Sequence, residues 1–307
     1  MRFFILGATE AHDADGRPIP LGGPRVRALL TALALRADRP GPVPVDSLIA
    51  DIWADDPTAV GPATRDLPPA DAPAALQALV GRLRRALGDR HRDAVVHSAA
   101  PPGYRLTADP DTIDLFRFQH LVRTAERQDP ATEARTLRAA LALWRGPVLA
   151  DLPEPARRPA AARLEALHRT ARRRRAAADL ALGPAEPLLP ELRELIDADP
   201  LDEPAHALYI RALRAAGRPA QALAAYETVR TTLADRLGTT PGPELTALYA
   251  ELLTPPAAPD PTPGEPGTRG TPATLRPADR PPAPPPPAPA PPGPGGGGVV
   301  RQARKGR

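Results

Sequence analysis

Helical periodicity between Ile113 and Leu253 limits the folds open to this chain more than any other feature. Apolar residues recur there at every third or fourth position, in segments that are separated by Gly and Pro. Strand-like alternation is not part of this pattern. We therefore expect an all-α domain over residues 112–254 and a mainly α protein.

The first hundred residues mix strand and helix patterns and predict a separate α+β domain over residues 1–108. Short apolar runs at the start indicate strands joined by a turn at Asp15-Gly16. Helical spacing then occurs in three segments, which begin at Pro24 and cover residues 45–54 and 74–87. Two short strands around a Pro-Pro-Gly turn, at residues 95–96 and 104–106, close the domain. We interpret the proline-rich residues 57–73 as an insertion before the third helix.

The third predicted helix separates its apolar and polar residues onto opposite faces. One face is expected to be core and consists of Leu76, Val80, Leu83 and Leu87. The opposite face carries Gln77, Ala78, Gly81, Arg82 and Arg85, with Arg84 at its flank. Arginine can bind guanine through two hydrogen bonds, and glutamine can bind adenine in the same way. The face fits a DNA groove, while an ordinary solvated arginine face is an equal interpretation of the helix alone.

The charge of the chain does not by itself indicate a partner. Residues 255–307 are nearly all Pro, Ala, Gly and Thr, so we expect a disordered tail. This tail carries 7 Lys and Arg against 3 Asp and Glu, whereas residues 1–254 carry 33 of each kind. The net charge of +4 therefore lies in the tail, and only a local cluster of arginines can support nucleic-acid binding.

The sequence lacks the residues that several kinds of functional site require. Cysteine is absent, which excludes disulfides and thiolate chemistry and fits a reducing compartment. The six histidines show no metal-ligand spacing, and the sequence contains neither a G-x-x-x-x-G-K-[ST] loop nor a G-x-S-x-G motif. No stretch is apolar enough to span a membrane, and the first residues turn polar too early for a signal peptide. We expect a cytoplasmic protein that is not an enzyme and binds no metal, cofactor or membrane.

Taken in order, the segments resemble a known family. LGGPRVRALLTALAL, VDSLIADIW, LQALVGRLRRALG and PPGYRL resemble the OmpR-type winged helix of Streptomyces antibiotic regulatory proteins. DLFRFQHLV, ALALWRGPVLADL and GRPAQALAAYETVRTTLADRLGTTPGPEL are similar to the bacterial transcriptional activator domain that follows it in that family. Residues 202–216 and 218–237, with Gly217 between them, resemble a tetratricopeptide unit. The resemblance covers about residues 1–254 and implies a winged helix-turn-helix followed by a tetratricopeptide-like domain.

The resemblance implies a transcriptional activator of a secondary-metabolite pathway, which binds promoter repeats in double-stranded DNA and recruits RNA polymerase. In such a protein the third helix lies in the major groove and the hairpin wing reaches the minor groove. By position, Arg82 contacts a base, Arg84 and Arg85 contact phosphates, and Gln77 contacts either. Tyr104 and Arg105 belong to the wing, where Tyr104 is equally a packing residue. The helical domain implies self-association, at least on DNA, or effector input.

Departures from the family pattern favour an alternative. Gly81 stands where serine is usual, and a glycine within a helix costs about 1 kcal/mol relative to alanine. Ala100 stands where an arginine usually precedes Pro-Pro-Gly-Tyr, and Leu79 replaces a commonly polar residue. With the 57–73 insertion, Gly81 and Ala100 suggest a helical protein-interaction regulator with weakened DNA binding. The run Arg172 to Arg175 circles its helix, and we expect it to be solvated rather than a binding patch.

Overall fold

The computed structural model describes residues 1–54, 69–88, 95–99 and 102–254, with the backbone alone for 95–99. The fold of these residues is mainly α with a small N-terminal α+β part, as the sequence predicts. The predicted disordered tail over 255–307 and the altered wing residue Ala100 lie outside the described residues, as does most of the 57–73 insertion.

Two antiparallel sheets form the β structure of the N-terminal part. The first has the order β1 (Arg2–Phe4), β2 (Glu10–His12) and β3 (Pro18–Ile19), with Phe3 opposite Ala11. The second has the order β4 (Val43–Pro44), β6 (Pro102–Leu106) and β5 (Val95–Ala99). The hairpin of β5 and β6 was predicted. The strands β2 and β4 were not predicted.

A glycine allows β4 to pair with the hairpin. Pro44 lies opposite Gly103, and a Cβ at position 103 would lie 2.3 Å from the Val43 carbonyl oxygen. Any larger residue would force the two strands apart. This position therefore sets how closely the hairpin sits on the rest of the N-terminal part.

Three helices complete the N-terminal part: α1 (Pro24–Ala34), α2 (Val45–Ile52) and α3 (Ala72–Leu87). The carboxylate of Asp71 accepts the Ala74 N–H at 3.0 Å, so α3 begins two residues before the predicted start and includes the end of the expected insertion. The buried residues of α3 are Leu76, Leu79, Val80, Leu83 and Leu87. The predicted core face of α3 is confirmed, and Leu79 packs with it.

The helical part contains α4 (Asp114–Ala125), α5 (Pro130–Leu141), α6 (Glu154–Leu182), α7 (Leu189–Ala198), α8 (Glu203–Ala215), α9 (Pro219–Leu237) and α10 (Pro243–Leu253). The bounds of α8 and α9 agree with the predicted pair to within a residue. Among the described residues, none of the helices combines the length and the apolar character that crossing a bilayer requires.

The buried side chains form two hydrophobic clusters that meet within α6. The first extends from Phe3 to Ala171 and joins the N-terminal part to α4, α5 and the first half of α6. The second extends from Ala176 to Leu248. The run Arg172 to Arg175 lies between the two clusters.

These four arginines are partly buried and held in ion pairs, so the expectation of a solvated run was wrong. Their side chains are between 15% and 25% exposed. Each forms an ion pair, and the partners are Glu191 and Glu194 for Arg172, Asp202 for Arg173, Glu126 and Glu133 for Arg174, and Asp179 and Glu191 for Arg175. Because most of these acids lie on other elements, on several sides of α6, the cations must circle the helix to reach them. The run connects neighbouring helices where the two clusters meet.

Asp114 connects the helical part to the first sheet. Its buried carboxylate accepts the Ile5 N–H at 2.8 Å and the Leu6 N–H at 3.0 Å, and Nη2 of Arg145 lies 3.9 Å away. Burial raises the pKa of Asp114 to about 6, although the hydrogen bonds and the Arg145 charge oppose this rise. The Leu149 N–H in turn donates to the Ile5 carbonyl oxygen at 3.0 Å. The N-terminal and helical parts are therefore joined by hydrogen bonds as well as by a shared core.

Candidate nucleic-acid interface

The exposed face of α3 carries the residues that the sequence analysis singled out. Gln77, Arg82 and Arg85 are exposed, and Gly81 and Arg84 are partly buried. The opposite face of the helix lies in the core. The predicted orientation of these residues is confirmed, while their contact with DNA remains a prediction.

Arg84 lies on the side of α3 that is near the hairpin. Burial raises the pKa of the Tyr104 phenol, and the nearby charge of Arg84 partly opposes that rise. Tyr104 is only 5% exposed, and its backbone pairs with both Val43 and His97 in the middle of the second sheet. The packing role that the sequence left open for Tyr104 is therefore favoured. Arg105, the next residue of β6, is exposed.

Arg82 and Arg85 line a cleft on the other side of α3, with a volume of about 1150 Å³. The remaining walls are the start of α1, the end of α2 near Trp53, and residues 151–154 of the helical part. The Nε of Arg85 donates to the Gly81 carbonyl oxygen at 3.3 Å. Arg82 forms no hydrogen bond or ion pair with any residue that the structure describes. We call this space the α3 cleft.

Gly81 lies between Arg84 on one side of α3 and the pair Arg82 and Arg85 on the other. A Cβ at this position would meet no atom within 4 Å. The described surroundings therefore give no steric reason for glycine here. Its effect is to leave the middle of the exposed face without a side chain.

Asp151 fixes the wall that the helical part contributes to the α3 cleft. Its carboxylate accepts the Thr9 N–H at 2.7 Å and Nε of Arg27, on α1, at 2.7 Å. The sequence analysis missed both contacts, and only the place of Asp151 within ALALWRGPVLADL marked it. A lone aspartate in a loop carries no signal of a partner more than a hundred residues away.

The exposed groups of α3 and β6 are mainly hydrogen-bond donors and cations, which suit phosphate oxygens and the acceptor edges of bases. Within the described ranges, no three side chains of His, Asp or Glu are grouped closely enough to hold a metal ion.

Comparison with known proteins gives both a family and several relatives. The family "Bacterial transcriptional activator domain" matches residues 113–253. Regulatory protein DnrI of Streptomyces peucetius is 32% identical over 264 residues, which cover 82% of this chain and 92% of DnrI. Transcriptional regulatory protein EmbR of Mycobacterium tuberculosis is 39% identical over 258 residues. Regulatory protein AfsR of Streptomyces coelicolor is 35% identical over 258 residues.

The length covered differs between these relatives. The match spans 82% of this chain in each case, but it spans 63% of EmbR and 24% of AfsR. A solved structure of M. tuberculosis EmbR, in complex with a low affinity phosphopeptide, is similar with a TM-score of 0.69 and 37% identity. That similarity covers 82% of this chain and 64% of the EmbR chain. The shared region thus includes both the α+β part and the helical part.

Proposed function

Because this chain belongs to the Streptomyces antibiotic regulatory protein family, we propose that it is a sequence-specific, DNA-binding transcriptional regulator. Residues 1–108 act as a winged helix-turn-helix domain, and residues 112–254 act as a tetratricopeptide-like activator domain. The relatives carry the names of regulatory and transcriptional regulatory proteins, which supports this role. The protein acts in the cytoplasm.

The observation that carries the proposal is the exposed face of α3, where Arg82 pairs with no residue that the structure describes, opposite a buried apolar face. This helix enters the major groove, where Arg82 contacts a base edge. Arg84 and Arg85 contact phosphates, and Gln77 contacts a base or a phosphate. Arg105 on β6 reaches the adjacent minor groove.

The regulator acts as an activator of a biosynthetic, secondary-metabolite pathway. It binds repeated promoter sites, associates with a second copy at least on DNA, and recruits RNA polymerase. Support for this finer role comes from the family alone. The helical part offers helix pairs such as α8 and α9, an arrangement that commonly forms protein-binding surfaces.

A binding titration tests the proposal. The full chain is titrated against its own upstream DNA and against a scrambled duplex of equal length, from about 50 to 200 mM salt. We expect the upstream DNA to bind at least about 1000-fold more tightly, with an affinity that falls steeply with salt. Equal and weak binding of both duplexes would contradict the proposal.

Charge-reversing substitutions then test which residues contact DNA. Arg82→Glu combined with Arg84→Glu should weaken specific binding by at least about 30-fold, since each lost contact costs about 1–3 kcal/mol. The matched control reverses two exposed arginines of α4 and α9, as Arg123→Glu with Arg236→Glu, and should retain affinity. If the α3 variant keeps full sequence-specific binding, the residue assignment is wrong.

The absence of a side chain at Gly81, in the middle of the exposed face of α3, favours a second candidate function. This function is a helical protein-interaction regulator with weak DNA binding. This candidate predicts a partner for the helical part and little dependence of DNA affinity on salt. The same titration separates the two functions. Nanomolar, sequence-specific DNA binding would exclude the second candidate.

A further inference from the structure

The second half of the helical part has a hydrophobic core of its own. Ala171 is the last residue of α6 in the first cluster, and Ala176 is the first residue of the second cluster. Among the described residues, the buried apolar side chains on the two sides of positions 172–175 form separate cores, and α6 is the helix that contributes to both. We call the described residues up to 171 the first module and residues 176–253 the second module.

Ion pairs on α6 connect the first module to α7 and α8. The Nε of Arg172 lies 3.2 Å from the carboxylate of Glu191 on α7, and Arg175 binds the same carboxylate. Arg173 pairs with Asp202, which also caps the start of α8. Residues on α6 therefore hold the beginnings of the next two helices through charge.

Two further contacts link α6 to the preceding helices. Nη2 of Arg174 lies 2.7 Å from the carboxylate of Glu133 on α5, and its Nη1 lies 3.5 Å from that of Glu126. Arg138, also on α5, pairs with Asp179 in the second half of α6. The layer between the two cores thus reaches α5 on one side and α7 and α8 on the other.

We call the run Arg172 to Arg175, together with its partner carboxylates, the ionic joint. A layer of ion pairs couples two cores less strongly than apolar contact does, because the attraction within each pair is largely offset by the cost of removing its charges from water. Burial alone would raise the pKa of Glu191, but the hydrogen bonds and charges of Arg175 and Arg172 lower it below its usual value. Glu191 is therefore ionised at neutral pH.

We propose that the ionic joint is a conformational device, which lets the second module open or unfold while the first module keeps its fold. Opening breaks the ion pairs of the joint and exposes the charged faces of α7 and α8 to solvent. Parts of a fold that move in regulation are drawn from its least stable segments. The helix α3 belongs to the first cluster, so its exposed face is retained when the joint opens.

The aromatic residues allow the two modules to be followed separately in the full chain. Both tryptophans, Trp53 and Trp144, pack in the first cluster. Three of the four tyrosines, Tyr209, Tyr226 and Tyr249, pack in the second cluster. In one urea titration, tryptophan fluorescence therefore reports the unfolding of the first module, and the second-derivative absorbance of tyrosine mainly reports that of the second.

Glu191→Gln weakens the joint without changing the size of the side chain. The amide keeps one acceptor oxygen, while Arg172 keeps Glu194 and Arg175 keeps Asp179 as a partner, so both modules should still fold. We expect the urea midpoint of the tyrosine signal to fall by about 0.5 M or more, and that of the tryptophan signal to move by less than about 0.2 M. The difference between the two midpoints therefore widens.

The matched control is Asp197→Asn, the same change of acid to amide on the same helix. Asp197 is exposed and pairs with Arg193 within α7, so its ion pair does not cross the joint. Both midpoints should stay within about 0.2 M of the wild type. If Glu191→Gln lowers both midpoints equally, the described part of the chain unfolds as one unit, and if it moves neither, the ion pairs do not couple the modules. Either result would overturn the proposal.

Hydrogen exchange of the full chain then identifies the segment that opens. In Glu191→Gln, amides of α7 to α10 should exchange at least about tenfold faster than in the wild type, and those of α1, α4 and α5 should be unchanged. Equally faster exchange in both modules, or unchanged exchange in α7 to α10, would refute the joint. Neither measurement involves DNA, so both outcomes are independent of the proposed function.

Discussion

Removing the Asp114 carboxylate should destabilise the whole chain, because this group satisfies two backbone donors of another part of the fold. In Asp114→Ala, the N–H groups of Ile5 and Leu6 lose their acceptor, and both residues are fully buried. An unsatisfied buried donor costs about 1–3 kcal/mol, so two such donors cost roughly 2–6 kcal/mol. Arg145 keeps bonds to Glu10 and to the Ala8 carbonyl oxygen and adds little to this cost.

Urea denaturation at pH 7.5, followed by circular dichroism, measures the loss in the free energy of unfolding. Asp114→Asn retains one acceptor oxygen and removes the buried charge, so it should lose clearly less stability than Asp114→Ala. The control is Asp111→Ala, an exposed aspartate three residues earlier, which should change stability by less than about 0.5 kcal/mol. If Asp114→Ala behaves like Asp111→Ala, water or a shifted backbone satisfies the two donors and the reasoning is wrong.

Three further predictions each concern a single position. Gly103→Ala should cost about 1–3 kcal/mol in thermal unfolding, because its Cβ would lie 2.3 Å from the Val43 carbonyl oxygen; an unchanged melting temperature would show that β4 shifts freely. Gly81→Ala should gain about 1 kcal/mol in the same assay, since the added Cβ meets nothing within 4 Å, and a loss would reveal a neighbour there. The pKa of Asp114 is raised from 3.8 to about 6, so its protonated form contributes about 3 kcal/mol to stability, fully present below pH 4 and lost as the pH rises through 6. Asp114→Asn should remove this decrease in the free energy of unfolding between pH 4 and 6. If the variant shows an equally steep decrease, another group causes it.

The helices could be predicted because their signals are local. Apolar spacing indicated α1, which begins at Pro24, and α9, and the same spacing separated the buried and exposed faces of α3. These signals depend on residues within a few positions of one another. The structure therefore reproduces the predicted sides of Arg82 and Leu83.

The unpredicted features depend on contacts between distant segments. Asp114 reads as an ordinary acidic residue in the first turn of a helix, yet its acceptor role is set by Ile5 and Leu6, 109 and 108 positions earlier. The strand β4 exists only because β6 pairs with it. The run Arg172 to Arg175 has no preferred face in the sequence, since its partners lie on several surrounding elements. The α3 cleft likewise needs residues 151–154, which no pattern places beside α3.

The contacts of Asp151 mean that the helical part helps to set the position of α3. Residues 151–153 lead directly into α6, and Asp151 is bonded both to Thr9 and to Arg27 on α1. Moving this segment by more than a hydrogen-bond length must break both bonds or carry α1 with it. Charge-assisted bonds of this kind contribute about 1.5–3 kcal/mol each, so carrying α1 along is the easier response to a small displacement. Because α1 packs against α3 within one core, a shift at the start of α6 reaches the face that carries Arg82.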